Sequence, residues 1–175
     1  MTRVTRLLLL GLFLLSACTA VPPLAETDKV EIYTAVIEQI YTQDDTFGGT
    51  FQAAEVYILT QTDDSVGDPD IEQSVPETLT TAVQTEITSA LAHLPTRIVW
   101  VDDLSAVPTD PITGAVANNG VILTLGNIHS QRKGMVIVSG SIYIASLAAG
   151  GQTYILEKES GSWQITGTTG VQWIS

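Results

Sequence analysis

The stretch GVILTLGNIHSQRKGMVIVSGSIYIASL, residues 120–147, decides the fold. Its two apolar parts are rich in Val, Ile and Leu and lack the apolar spacing of a helix, which is typical of β-strands. The polar segment from Asn127 to Gly134 separates them, and so short a connection joins strands that run antiparallel. The stretch therefore predicts a pair of neighbouring antiparallel strands.

The pattern continues to the end of the chain. QTYILEKE (residues 152–159) and SWQITGTT (residues 162–169) are also strand-like, and residues 170–175 can extend the last strand. We expect turns at Gly150-Gly151 and Ser160-Gly161, because glycine pairs and Ser-Gly mark turns. The C-terminal third is therefore predicted to be a four-stranded β-meander.

The N-terminal half contains two helical patterns. The first runs from Lys29 to Gln43, behind a capping box of Asp28 and Glu31. Its apolar side chains recur at helical spacing at Val30, Tyr33, Ile37, Ile40 and Tyr41. The second is predicted to begin at a capping box of Ser74 and Glu77, with Pro76 in its first turn, and to end at Pro95. Its apolar stripe consists of Leu79, Val83, Ile87, Leu91 and Leu94.

Two further strands are expected between these patterns, at EVYILTQ (residues 55–61) and RIVWVD (residues 97–102). The second is apolar throughout its middle, which favours a central place in the sheet. Residues 103–119 read as a long irregular connection that ends in a turn at Asn118-Asn119-Gly120.

These elements predict an α+β fold in which two amphipathic helices pack on one face of a mainly antiparallel sheet with a C-terminal β-meander. Residues 135–138 are apolar on both sides, so the other sheet face should be covered as well. The 103–119 connection or another copy of the chain could cover it. We expect residues 28–175 to form a single globular domain.

The first 17 residues have the layout of an export signal. Arg3 and Arg6 precede an apolar run over residues 7–15, which is too short to span a membrane. Leu15-Ser16-Ala17-Cys18 then resembles the lipobox of bacterial lipoproteins. The resemblance implies removal of residues 1–17 and lipid attachment to the Cys18 sulfur. Residues 18–27, which contain two prolines, are expected to form the tether between lipid and domain.

The same resemblance implies a location in the cell envelope and outside the cytoplasm. The protein would be lipid-anchored on the outer side of the cytoplasmic membrane or to the outer membrane, because several acyl chains hold a protein on a bilayer where one does not. Thr19 stands where a lipoprotein retained at an inner membrane carries aspartate, which favours the outer membrane in a two-membrane bacterium. The expected membrane contact is through the lipid only.

The charge of the chain excludes one class of partner. The net charge is −12, and all 19 acidic residues but only five of the seven basic ones follow residue 17. Proteins that bind nucleic acid need Lys and Arg to displace counterions from phosphates. We therefore expect no nucleic-acid partner.

The acidic stretch TDDSVGDPDIEQ, residues 62–73, is a candidate Ca²⁺ site, because Ca²⁺ prefers several carboxylate oxygens on a loop. The candidate ligands are Asp63, Asp64, Asp68, Asp70 and Glu72. Their spacing does not match an EF-hand, since Gly67 and Ser74 occupy the fifth and twelfth positions counted from Asp63. The alternative is a solvated acidic loop, and no other cofactor is expected.

Other candidate chemical groups are few. Asp44-Asp45 and Asp102-Asp103 could serve a carboxylate-using hydrolase if they converge on one cleft, although acids at element ends also form caps and turns. His93 is placed in the last turn of the second helix and His129 in a hairpin loop. No nucleophile motif accompanies them, so no catalytic residue is assigned.

The sequence therefore favours a membrane-anchored exported lipoprotein that acts as a non-enzymatic binding or interaction module. The alternatives are a carboxylate-using hydrolase and a calcium-dependent adhesion or sensing domain. A protein partner, a small-molecule partner and self-association all stay open.

Overall fold

The computed structural model describes residues 24–43, 52–68 and 74–175. Two helices and six strands follow one another within these residues, in an α+β fold as expected. They are α1 (Glu26–Gln43), β1 (Glu55–Leu59), α2 (Thr81–Ala90), β2 (Arg97–Val101), β3 (Gly120–Arg132), β4 (Met135–Ala145), β5 (Ala148–Glu159) and β6 (Ser162–Ile174). Short 3₁₀ turns occupy Asp64–Val66 and Leu104–Ala106. The described part of the chain contains no helix long and apolar enough to cross a bilayer.

The six strands form one mixed sheet in the order β2-β1-β3-β4-β5-β6. Strands β3 to β6 pair antiparallel with their neighbours in sequence, as the meander pattern predicts. By contrast, β1 is parallel to both β2 and β3. Parallel strands need a crossover connection, which α2 supplies between β1 and β2.

The prediction that residues 97–102 form a central strand is wrong, because β2 lies at an edge of the sheet. Its apolar middle is explained by cover on both faces instead. Trp100 donates from its indole Nε1 to Thr88 Oγ1 of α2 at 2.9 Å. On the other face, Val101 packs in a small core with Val107 and Val116 of the 103–119 connection.

Helix α2 begins later than the Ser74–Glu77 capping box predicts. Its N-cap is Thr80, whose hydroxyl accepts a hydrogen bond from Val83 N at 3.3 Å. The backbone of Glu77 is already engaged by Thr62, since Thr62 N donates to Glu77 O at 2.9 Å and Glu77 N donates to Thr62 Oγ1 at 2.7 Å. This pairing holds the chain extended ahead of the helix.

Two predicted turns are also misplaced. Strand β3 continues to Arg132, and the turn into β4 is made at Lys133 and Gly134, where Gly134 has φ +74°. His129 therefore lies in a strand, not in a hairpin loop. Gly150-Gly151 lies within β5 and is not a turn. Glycine is needed at position 151 because a Cβ there would collide with Val66 O and lie 2.6 Å from the indole Nε1 of Trp173.

One large core contains buried residues of α1, α2 and the sheet. Gly140 of β4 allows α1 to approach closely, since a Cβ there would lie 2.9 Å from Ile40 Cδ1. The opposite sheet face is covered in two places. The 103–119 connection covers one end, which is one of the two alternatives expected. Residues 64–68 cover Ser139 and Thr153 farther along the sheet, which the sequence does not predict.

Candidate functional site

The structure describes three of the five acidic residues that were expected to bind Ca²⁺, and Asp63 and Asp64 have different environments. Asp63 is exposed and accepts a hydrogen bond from Ser65 N at 2.9 Å, so it caps the 3₁₀ turn. Asp64 and Asp68 are buried. Asp70, Glu72 and the lipid-attachment candidate Cys18 lie outside the described residues, as do Asp44 and Asp45.

Asp64 is the centre of a buried polar network that joins the 62–68 segment to β3. Its carboxylate accepts hydrogen bonds from Asn127 N at 2.7 Å, from Ser74 N at 3.0 Å and from the Ser74 hydroxyl at 2.9 Å. The amide of Asn127 also donates to Ser74 Oγ at 2.7 Å, and its Oδ1 accepts from the Thr62 hydroxyl. The side chain of Asp64 is 1% exposed. This carboxylate therefore holds backbone groups in place and is closed to a cation from solvent.

The charge state of Asp64 follows from the same contacts. Burial by itself raises its pKa, but the hydrogen bonds from Ser74 and Asn127 and the nearby His129 ring lower the pKa by more, so the net shift is downward. Burial raises the pKa of the Tyr33 phenol, and the negative charges of Glu77 and Asp64 raise it further. Tyr33 is thus a neutral donor, bonded to Gly126 O at 3.2 Å.

His129, which was predicted to lie in a hairpin loop, lies in β3 beside Asp64. Its Nε2 lies 3.0 Å from Asp64 Oδ2, at ion-pair distance, and the ring is 24% exposed. The nitrogen nevertheless makes no hydrogen bond of good geometry with any described residue. The strand position of His129 could not be predicted, because the β-bulge between Leu125 and Ile128 interrupts the apolar strand pattern just before it.

A second acidic position lies beside the C-terminal ends of β1 and β2. Asp63, Asp102 and Asp103 line one cavity of about 230 Å³ that Pro76 and Leu104 help to enclose. The structure thus brings one residue of the acidic stretch together with the Asp102-Asp103 pair. Even so, the described residues include no group of three His, Cys, Asp or Glu side chains placed to hold a metal ion.

The hydrogen bonds of this cavity indicate structural roles for two of its carboxylates. Asp102 Oδ1 accepts from the Thr60 hydroxyl at 2.8 Å, which joins β1 to β2. Asp103 accepts from Ser105 N at 2.7 Å as the cap of the second 3₁₀ turn. Its hydrogen bonds with Ser105 hold the pKa of Asp103 below its usual range, so it is an anion at neutral pH.

His93 and the tryptophans have mainly structural contacts. His93 lies just beyond α2, where its Nδ1 contacts Ala90 O and its Nε2 contacts Glu38 at 3.1 Å. Trp163 is buried and donates to Asp28 at 2.8 Å. Trp173 is half-buried and donates to Val66 O at 3.0 Å.

Besides the Asp64 network and the acidic cavity, the domain has a groove along the outer edge of the sheet. Strand β6 is the last strand, and α1 runs beside it. A cavity of about 400 Å³ lies between Ile165 and the C-terminal half of α1. A second cavity, of about 260 Å³, lies between Trp163 and the N-terminal half of α1. Both are lined by Ala35 and Glu38. We call the outer edge of β6 with these two cavities the edge groove.

The fold brings these features together from distant parts of the chain, in an arrangement of one mixed sheet, two helices and a covered second face. Comparisons with protein-family models, with curated proteins and with solved structures find no match to this chain, so no relative supplies a function for it.

Proposed function

We propose that this protein is an exported lipoprotein, anchored in the cell envelope through Cys18, whose domain is a non-enzymatic interaction module. The anchor is supported by the basic and apolar leader followed by Leu15-Ser16-Ala17-Cys18. Because α1 begins at Glu26, the proposal takes residues 18–25 as the tether, and it takes both helices as cover for one face of the sheet. It places the other surfaces of the domain within reach of partners at the membrane.

The observation that carries the interaction role is the edge groove. Concave surface lies beside β6, whose outer side has no neighbouring strand within residues 24–43, 52–68 and 74–175. The buried ionisable pair of Asp64 and His129, in contrast, lies in a network of structural hydrogen bonds. A hydrolase needs two carboxylates that meet a substrate with their pKa values driven apart. Asp103 accepts a hydrogen bond from Ser105 N as the cap of a 3₁₀ turn, which supports a structural role for this carboxylate.

The anchor can be tested by expression of the full chain in a bacterium that processes lipoproteins. We expect the protein in the membrane fraction, with a mature mass that starts at Cys18 and includes acyl chains. The Cys18→Ser variant should lose both properties. Ser16→Ala keeps a small residue at that position and is the matched control that should still be acylated. An unmodified Cys18 in the wild-type protein would exclude the lipid anchor.

A calcium-dependent role is the second candidate, and one observation favours it. Asp63, Asp102 and Asp103 line one cavity, and carboxylate oxygens are the ligands that Ca²⁺ prefers. A cation that binds only the folded state raises the thermal midpoint. Millimolar Ca²⁺ should therefore raise the midpoint of the wild-type domain but not that of Asp102→Asn. An unchanged wild-type midpoint would exclude this candidate.

A further inference from the structure

We infer that the edge groove binds an extended, basic segment of a partner protein, which joins the sheet as a seventh strand beside β6. This inference rests on the proposed interaction role and specifies its partner. Such strand addition obtains affinity from main-chain hydrogen bonds and specificity from pockets that accept alternate side chains. The edge groove offers both features and a charge that selects the partner.

Among the described residues, no strand pairs with the outer side of β6. The strand is 13 residues long, SWQITGTTGVQWI, and contains neither a charged residue nor a proline. Natural proteins usually protect sheet edges with those residues, because an unprotected edge is a template for another strand. Trp163 N points away from β5 and donates to Glu31 Oε2 at 3.4 Å. One side chain of α1 thus occupies an N–H that a partner carbonyl could take.

The two cavities provide places for side chains of an added strand. They follow one another along α1, and Ala35 and Glu38 belong to both. The smaller cavity is lined mainly by apolar surface, including Val30 and Trp163. Thr34 also lines it, and the hydroxyl oxygen of Thr34 is buried without a hydrogen-bond partner among the described residues.

The charge of the groove selects a basic partner. Its charged lining residues are Glu31 and Glu38, and both are acidic. Lys158 lies over the Trp163 ring at 5.7 Å, but its ammonium group is paired with Asp28 at 2.5 Å. A Lys or Arg in the added strand would meet the carboxylates of Glu31 and Glu38, the second of which also contacts His93 Nε2 at 3.1 Å. Complementary charge raises the association rate and suppresses wrong partners.

The same residues argue against the two partners nearest at hand. A second copy paired through its own β6 would add a strand that contains no Lys or Arg, so it would bring no positive charge to Glu31 and Glu38. The chain's own tether, residues 18–25, contains no basic residue and has Pro22 and Pro23, which cannot donate to a ladder. An extended basic segment of another protein remains the occupant that fits.

The test uses the folded mature domain and a fluorescent peptide that alternates lysine and valine over about ten residues, long enough to pair with most of β6. Fluorescence anisotropy should show saturable binding. A peptide that alternates glutamate and valine should not bind. A lysine–valine peptide with N-methylated backbone amides should bind at least about tenfold more weakly, because the ladder is lost. Equal binding of either control peptide would overturn the inference.

Variants locate the binding. Ala35→Trp fills both cavities, and its matched control is Ala82→Trp on the exposed surface of α2. Glu31→Lys with Glu38→Lys reverses the charge of the groove, and Glu86→Lys is the corresponding change on α2. We expect at least about tenfold weaker binding for the two groove variants, a loss of about 1.4 kcal/mol or more, and less than about twofold for the controls.

Three results would overturn the inference. The first is equal affinity for groove and control variants, which would indicate diffuse attraction to an acidic protein. The second is an edge-to-edge dimer, seen by analytical ultracentrifugation and broken by Ala35→Trp. The third is an absence of peptide binding by the wild-type domain. The anchor experiment on Cys18 is separate, so failure here leaves the proposed location intact.

Discussion

Replacement of Asp64 by alanine should be among the most destabilising single changes in this domain. The carboxylate accepts from Asn127 N and Ser74 N and from the Ser74 hydroxyl, at 2.7 to 3.0 Å. A hydrogen bond to a charged group contributes about 1.5–3 kcal/mol, and an orphaned buried donor costs about 1–3 kcal/mol. Since the three bonds act as one network, we expect a loss of about 3–5 kcal/mol in the free energy of unfolding.

Urea denaturation monitored by tryptophan fluorescence measures this loss. It should correspond to a decrease of about 10 °C in the midpoint of thermal unfolding. Asp63→Ala is the matched control, because Asp63 is the next residue in the chain and its carboxylate is exposed and accepts one backbone hydrogen bond, from Ser65 N. That change should cost less than about 1 kcal/mol. If Asp64→Ala costs no more than Asp63→Ala, the network does not stabilise the fold.

The pH dependence of the same variant gives the sign of the charge effect. The pKa of Asp64 is lowered in the folded state, so its charge stabilises the fold above the unfolded pKa of about 4. That contribution is lost as the pH falls through the lower folded value. The stability difference between wild type and Asp64→Ala should therefore be constant near neutral pH and narrow below about pH 4. A difference that grows in acid would refute the assignment.

Two further predictions concern the covered sheet face and His93. Gly67→Ala should destabilise the domain by about 1–3 kcal/mol in urea denaturation, since its Cβ would lie 2.6 Å from Thr153 Oγ1. Gly167→Ala, where a Cβ would meet nothing within 4 Å, should change stability by less than about 0.5 kcal/mol, and equal losses would contradict the close packing. The hydrogen bond to Glu38 raises the pKa of His93, so proton NMR should show a pKa above the ordinary 6.5 that returns towards it in Glu38→Gln. The contact between His93 and Glu38 stabilises the fold below the unfolded pKa of His93, and this effect is lost as the pH rises through the folded pKa. The same His93 pKa in wild type and Glu38→Gln would refute the pairing.

The sequence predicts the local elements of this fold better than their arrangement. Alternating and continuous apolar runs identify the strands of the meander, and Ser160-Gly161 is a turn as expected, with φ +51° and +97°. The edge position of β2 could not be predicted, because its cover comes from Val107 and Val116 in an irregular connection. The start of α2 could not be predicted either, since the backbone of Glu77 is bound by a threonine 15 residues earlier.

The candidate sites show the same division between local and long-range information. The acidic composition of residues 62–73 is plain in the sequence, but consecutive aspartates have opposite environments, with Asp63 in solvent and Asp64 buried. Burial of Asp64 depends on Asn127, which is 63 positions away. The edge groove also combines distant residues, since Glu31 and Trp163 are separated by 132 positions. No local pattern could have revealed either feature.

The contacts of α1 impose an order on folding. Tyr33 is bonded to a carbonyl 93 residues later, and Asp28 to an indole 135 residues later. Contacts between such distant residues form slowly, because the intervening chain must first be closed into a loop. The meander can assemble from neighbouring hairpins, whereas α1 completes its contacts with the sheet only after β6 has formed. A chain that ends before β6 should therefore leave the part of α1 beside Trp163 exposed and be a substrate for holding chaperones.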